Sequence, residues 1–523
     1  MPRTGAKAER RILMKISIRV MFVIWLLVAL FATFGCKKSD DKTTTCDLGE
    51  PDQCEENEIC AMPAGEEEFI CVEPCDPEAS DACPDKLTCD GIDTGGFACF
   101  YPLIISGNVF DALSLAGIEG AQVTAANEAG LVVTDVAETD NEGFYELAVP
   151  VTRDATGVPL PVTVNLRVSA QDYYPYPHGL RPSIPVDMQS PLFEEDSHYS
   201  VENLTTDVAL FELEEHEGFG IVSGDIEGEN PKGALIVAEG GSNVPAPYTF
   251  ADQNGSFTLF NVPPGVYQLR AYKAGLQVSP ADVEIGESET VSDVTLASSE
   301  EPLGSVSGTI NIVNAPGGSA TSVVLIPEST FMETFTRGVV PPGLRAPSPG
   351  TPPSITSNFQ INEVPDGDFV VLAAFENDGL VRDPDPGIAG TQIVHISIPD
   401  NEGEKDITME TAFKITEAIE IMEPGAGEPE AVDPAEPLTF ICADDSSETH
   451  YSIVLYNVFG ELVWEDQNVP SVQGPETVEV LYDGPALEDG MYYQWKATSH
   501  RMSGPISRTE DLKGVFFVPS TVD

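Results

Sequence analysis

The chain has 523 residues, with 25 Lys and Arg against 86 Asp and Glu for a formal charge of −61, and 43 Pro with 45 Gly. That length has room for about three to five domains, and the Pro and Gly content favours turns over long helices. Charge of this sign repels nucleic acid and anionic lipid headgroups; divalent cations, cationic partners and neutral glycans remain open, although acidic residues spread through every segment serve solubility first.

The first element is residues 14–42. It carries Lys15 and Arg19, an apolar run from Val20 to Phe34, then Gly35-Cys36 and the hydrophilic Lys37-Lys38-Ser39-Asp40-Asp41-Lys42. About 15 apolar residues suit a signal h-region and fall short of the roughly 20 of a spanning helix. A cysteine placed there resembles the end of a bacterial lipoprotein signal. The resemblance implies cleavage before Cys36, acylation of its thiol and new amine, and a stable membrane anchor, since a single acyl chain alone holds only marginally. Thr33 and Phe34 stand where that family usually has Leu and then Ala or Ser, which keeps a signal anchor or an ordinary secretory signal open. Lys37, rather than Asp, after the cysteine implies the outer membrane in a Gram-negative source. Residues 1–35 hold six basic residues and one acidic, so the remainder carries 19 against 85, or −66. Residues 36–45 read as a polar linker.

Residues 46–101 carry two copies of one pattern: Cys46, Cys54, Cys60, Cys71 and Cys75, Cys83, Cys89, Cys99. Each unit is too short and acidic to bury a core, so disulfides must supply the constraint, which fits an oxidising compartment. Four cysteines allow three pairings, and we expect the interlaced one, first to third and second to fourth. Zinc competes, but close CxxC pairs are missing.

An internal repeat organises residues 102–215, 216–300 and 301–414. The copies open with Ile105-Ser106-Gly107-Asn108-Val109, Val222-Ser223-Gly224-Asp225-Ile226 and Val306-Ser307-Gly308-Thr309-Ile310. They close with Asp207-Val208-Ala209-Leu210, Asp293-Val294-Thr295-Leu296 and Asp406-Ile407-Thr408-Met409. Between these ends, Asp140-Asn141-Glu142-Gly143 and Asp252-Gln253-Asn254-Gly255 read as tight turns before alternating strands. Copies two and three match in register from Phe257, Leu259, Val262, Pro263 and Gly265 to Phe359, Ile361, Val364, Pro365 and Gly367. In the first copy, residues 151–161 interrupt this hairpin. The S-G-x-V opening and the D-x-N-G-x-F-x-L…V-P-P-G-x-Y turn resemble the carboxypeptidase regulatory-like domain, a small transthyretin-like β-sandwich. The resemblance implies accessory or adhesive modules without catalytic residues.

Residues 415–523 change pattern. Ser452-Ile453-Val454-Leu455-Tyr456 alternates, and Gly490-Met491-Tyr492-Tyr493-Gln494-Trp495-Lys496-Ala497 resembles the penultimate strands of a fibronectin type III or immunoglobulin-like domain, with Tyr493, Trp495 and Ala497 facing a core. Cys442, left over once Cys36 is acylated and eight cysteines pair, lies in a strand-like run and reads as a buried inert thiol.

Signals for chemistry are sparse. The six histidines have no partner at metal-ligand spacing, and neither G-x-S-x-G nor G-x-x-x-x-G-K occurs. Asp140 with Glu142, Asp252 with Asn254, and Asp383 with Asp385 are calcium candidates, of which the Pro-flanked Asp383 and Asp385 are the best placed. Calcium needs six to eight oxygens, however, and Asp and Asn commonly cap their own turns. Tyr173, Tyr174 and Tyr176 are candidates for stacking on sugar rings or peptides, against the reading that they cover an enlarged first domain.

The sequence thus predicts a mainly β protein of tandem β-sandwich domains preceded by a small disulfide-rich region. It predicts an exported lipoprotein, not an enzyme, acting in adhesion, assembly or scaffolding at the envelope. Carbohydrate binding and accessory domains of an unrecognised hydrolase are the alternatives. The expected partners are a membrane through the lipid and an envelope protein or polysaccharide, with no cofactor beyond the calcium considered above.

Overall fold

The computed structural model describes residues 45–519 apart from short intervals, the longest being 375–391. Among these residues every regular element is a strand except one 3-10 turn at Glu328–Thr330. The described part of the chain is therefore almost wholly β, and it opens with a disulfide-bonded region.

In that region the bonds are Cys46–Cys60, Cys54–Cys71, Cys75–Cys89 and Cys83–Cys99, the interlaced order in both units. Each unit holds one two-stranded hairpin, Ile59–Ala61 with Ile70–Val72 and Thr88–Ile92 with Phe97–Phe100. The apolar cluster they share is small, built on Ala61, Ile92, Ala98 and Phe100, so cross-links must do what a core cannot. The sulfurs within each unit lie close together, but they are bonded in pairs and offer zinc no thiolate.

The three repeats share one topology. The opening strand is central in its sheet: Leu103–Asp111, Gly220–Ile226 and Gly304–Val313 pair antiparallel with Phe144–Val149, Ser256–Val262 and Asn358–Val364. Each also runs parallel to the closing strand, Val208–Leu210, Thr290–Leu296 or Asp406–Thr408. The glycine of the opening motif follows from this parallel approach. A Cβ on Gly107 would lie 2.2 Å from the Thr206 carbonyl oxygen, and one on Gly224 would lie 1.9 Å from that of Val294. Any side chain would push the closing strand off its neighbour.

A second sheet covers each of these. In the second repeat its order is Tyr248–Phe250, Leu235–Glu239, Gly265–Tyr272 and Ala281–Ile285, and in the third Arg345–Ala346, Ser322–Pro327, Gly367–Ala374 and Val394–Ile398. Leu235–Glu239 and Ser322–Pro327 lack the polar alternation of a one-sided sheet. In the second repeat Ala234, Ile236 and Ala238 face its own core, whereas Leu235 and Val237 face a cluster that continues through Val323, Leu325, Phe369 and Val371 of the third. Repeats two and three are joined by apolar contact, and the continuous run of apolar residues is its signature.

The last sandwich packs Ile421–Glu423, Thr439–Ala443 and Thr477–Leu481 on a larger sheet centred on His450–Asn457 and Tyr492–Arg501. Tyr493, Trp495 and Ala497 all face the core, and the Trp495 ring lies 5.0 Å from that of Phe440 while its Nε1 donates to the Pro424 carbonyl at 2.9 Å. Cys442 is fully buried in the same core, and burial, assisted by the nearby Asp444 carboxylate, pushes its thiol up to about 12. A thiol held protonated in this way is not a nucleophile.

Candidate functional site at the joints between repeats

The hairpin strands of repeats two and three contain one residue more than their partners. Gly220 and Val222 face Val262 and Leu259, and Gly304 and Val306 face Val364 and Ile361, so three steps on one strand match two on the other. The first repeat runs without a shift from Leu103 opposite Val149 to Ile105 opposite Leu147. The extra residue makes a β-bulge at Asn261 and Glu363, which take positive φ of 59° and 57°. Both bulges point at the preceding repeat.

Asn261 makes the first joint. Its Nδ2 donates to the carbonyls of Ala170 and Tyr173 at 2.8 and 2.9 Å, and its Oδ1 accepts from the Asp172 amide at 2.6 Å. The receiving turn follows directly on the returning strand Val164–Ser169 of repeat one. The second joint repeats the design. Gly275, in the turn after Gly265–Tyr272, donates to the Glu363 carbonyl at 2.9 Å, and Ala274 donates to that of Pro342 at 2.9 Å. Around it Gln277 Nε2 donates to Asp366 at 2.9 Å, Lys405 pairs with the same carboxylate at 2.8 Å, and Tyr272 meets Phe369 edge-on at 5.5 Å.

Asn261→Ala takes a donor from two carbonyls and the acceptor from one amide at this contact, which costs about 1–3 kcal/mol. Asn261→Gly is expected to fail as well, because it suits the positive φ but lacks the amide group. Hydrogen exchange at the Asp172 amide reads the joint: it accelerates in both variants, and unchanged protection would remove Asn261 from this role.

The described hairpin of the first repeat has no bulge, and this repeat has a different neighbour before it. Its interruption, residues 151–161, contributes the strand Thr152–Arg153, which pairs parallel with Thr88–Ile92 of the disulfide region. Arg153 Nε and Nη2 both reach Asp90 Oδ2, at 2.8 and 2.7 Å, and Nη2 also donates to the Tyr101 carbonyl at 2.7 Å. Arg153 is 0% exposed and Asp90 1%. Burial pushes the Asp90 carboxyl above its usual range, and the pull of Arg153 does not fully offset it.

A cleft opens beside the first joint. Its larger part, about 610 Å³, is walled by Gln122 and Glu138 of repeat one and by Asp225, Asp252 and Asp293 of repeat two. A smaller recess of about 40 Å³ shares Gln122, Val136 and Phe250 with it and is lined by Arg167, Tyr176 and Tyr248. Arg167 lies on Val164–Ser169 between the inward-facing Leu166 and Val168, so alternation turns it toward repeat two, where its Cζ sits 4.5 Å over the Phe250 ring.

The residues singled out in the sequence fall as follows. Cys36, Asp383 and Asp385 lie outside the described residues. Tyr176 is 6% exposed in the core of repeat one, and Tyr173 and Tyr174 are half-buried beside it, so the three do not form an open platform. An exposed aromatic group occurs elsewhere: Phe193, 50% exposed, lies 4.7 Å from the Tyr199 ring and 5.9 Å from that of Tyr101. Asp140 and Asp252 cap their own turns, each Oδ1 accepting two backbone amides between 2.8 and 3.0 Å. Ser452 Oγ and His500 Nε2 are 2.8 Å apart, but both project from paired strands. Burial, then the stacked His450 and Arg508, lowers the His500 pKa, and among the described residues no carboxylate orients its other nitrogen. A Ser–His contact of that kind lacks the orienting acid of a triad among the described residues.

No family model matches the chain, and no curated protein does. Among solved structures, the TIE protein of Bacillus anthracis is 12% identical over 76% of this chain and 67% of its own, with a TM-score of 0.13. The shaft pilin SpaA of Lactobacillus rhamnosus GG is 11% identical over 38% and 98%, with a TM-score of 0.15. A point variant of BcpA, the major pilin subunit of Bacillus cereus, is 14% identical over 59% and 98%, with a TM-score of 0.16. TM-scores this low carry no argument about what the chain does.

Proposed function

We propose that the chain is a non-catalytic envelope lipoprotein, anchored through Cys36 in the outer membrane, that holds binding faces at fixed spacing for adhesion, assembly or scaffolding. The observation that carries this reading is the series of joints. Separate domains on free linkers would leave their relative positions loose. Here the disulfide region is fastened to repeat one through Asp90 and Arg153, repeat one to two through Asn261, and two to three through Glu363 and a shared apolar cluster. Stiffness of this kind serves display, whereas catalysis needs a constellation of acid, base and nucleophile.

The test is fractionation and cross-linking of a tagged copy in intact cells. The native chain is expected in the membrane fraction with acyl mass on Cys36, and Cys36→Ala is expected to move to the soluble fraction. Cross-linking of the native chain is expected to return one reproducible envelope neighbour. A Cys36→Ala chain that stays in the membrane would sink the anchor; enriched polysaccharide without protein would replace scaffolding by carbohydrate binding.

A further inference from the structure

The cleft at the first joint is divided by charge. In a chain with 86 acidic residues, Arg167 has no carboxylate partner and donates no hydrogen bond among the described residues. Its guanidinium is held over Phe250 beside Tyr248, in a recess of about 40 Å³, room for one small planar group and little more. The larger part next to it carries only acid: Glu138 and Asp293 are exposed, Asp225 is engaged by the Ser256 hydroxyl at 2.6 Å, and Asp252 by its own turn. At about 610 Å³ it lies in the range of ligand pockets.

We propose that this cleft binds the carboxyl-terminal end of a cationic peptide, with the terminal carboxylate on Arg167 and Lys or Arg side chains along Glu138, Asp225 and Asp293. The planar guanidinium matches a carboxylate in two-point geometry, and the aromatic rings around it exclude water from the pair. A polyanion would meet the acidic wall, and a purely cationic ligand would leave Arg167 unmatched. A chain end with one carboxylate and basic side chains behind it satisfies both halves. The inference names a partner class for one face of the proposed scaffold, so it rests on that reading; a cross-linked neighbour that lacks a basic tail would overturn this inference and leave the scaffold intact.

The experiment uses the full chain and two fluorescein-labelled peptides, Lys-Arg-Ala-Lys-Phe with a free carboxylate and the same sequence as an amide, read by anisotropy. Amidation is expected to weaken binding by about tenfold or more, the scale of one charge-assisted hydrogen-bonded pair. Arg167→Met should weaken the free-acid peptide similarly and abolish the difference between the two peptides. This comparison within one variant remains valid even if the joint loosens. Asp225→Asn with Asp293→Asn should weaken both peptides equally and flatten their salt dependence. Equal binding of acid and amide by the native chain, a peptide difference that persists in Arg167→Met, or polyuronate binding in place of both peptides would each overturn the proposal.

Discussion

Asp90→Leu unfastens the disulfide region from the first repeat, and Asp90→Leu with Arg153→Met refastens it. In the single variant a fully buried guanidinium keeps its charge and loses the carboxylate that receives two of its donors. Removing one member of a buried pair costs about 3–5 kcal/mol, because the other is left uncompensated. The double variant removes both desolvation penalties, and loses only the bonds that the pair makes to the Val151 amide and to the Gly157 and Tyr101 carbonyls. Burial outweighs the attraction of Arg153 at the Asp90 carboxyl, so removing both charges together is expected to cost less than removing one. Leu and Met fill comparable space against Phe100 and Tyr199, the rings beside the Arg153 guanidinium. Hydrogen exchange at Asp93, whose amide donates to the Arg153 carbonyl at 2.9 Å, reports the joint directly. The expected order is native and double variant slow, single variant fast. A double variant as fast as the single would show that specific hydrogen bonding, rather than charge compensation, holds the contact.

Reduction has the second large effect. The four disulfides close loops with sequence separations of 14 to 17, each worth roughly 3 kcal/mol in the chain-entropy account. With so small an apolar cluster in the two units, only the contact of the second unit with Thr152–Arg153 would remain once the cross-links are gone. Treatment with dithiothreitol and alkylation should therefore unfold residues 46–100 and leave the sandwiches folded, since the remaining described cysteine, Cys442, is unpaired. Limited proteolysis after reduction is expected to cut within residues 46–100 first and to release a resistant fragment beginning near Leu103. A reduced chain that resists cleavage there would mean the small apolar cluster and the contact with Thr152–Arg153 suffice without the cross-links.

How much of this was legible depended on whether the signal was local. The β class, the repeat and the closing strands were readable because S-G-x-V and D-x-N-G each encode a backbone need, a close parallel approach and a capped turn. The joints were not. Asn261 and Glu363 look like ordinary exposed polar residues in a hairpin, and only their alignment against the first repeat, one residue shorter there, exposes the bulge. Residues 151–161 read as an interruption because their partner, Asp90, lies 63 positions earlier than Arg153. Leu235–Glu239 did carry a local hint, a strand without polar alternation, which marks burial on both faces. Arg167 gave none: an arginine in an alternating strand reads as solvated unless the neighbouring repeat is in view.

The bulge also bears on how such a chain changes length. Each joint centres on a hairpin bulge of one repeat and the turn after the returning strand of the one before it, and the neighbouring strands and loops of the same two repeats complete it. A copy of repeat two carries both halves of the connection, so a tandem duplication of residues 216–300 would arrive with a socket for its successor and a plug for its predecessor. Reach can then be inherited in whole repeats, gained or lost by recombination between similar segments, without redesigning either end.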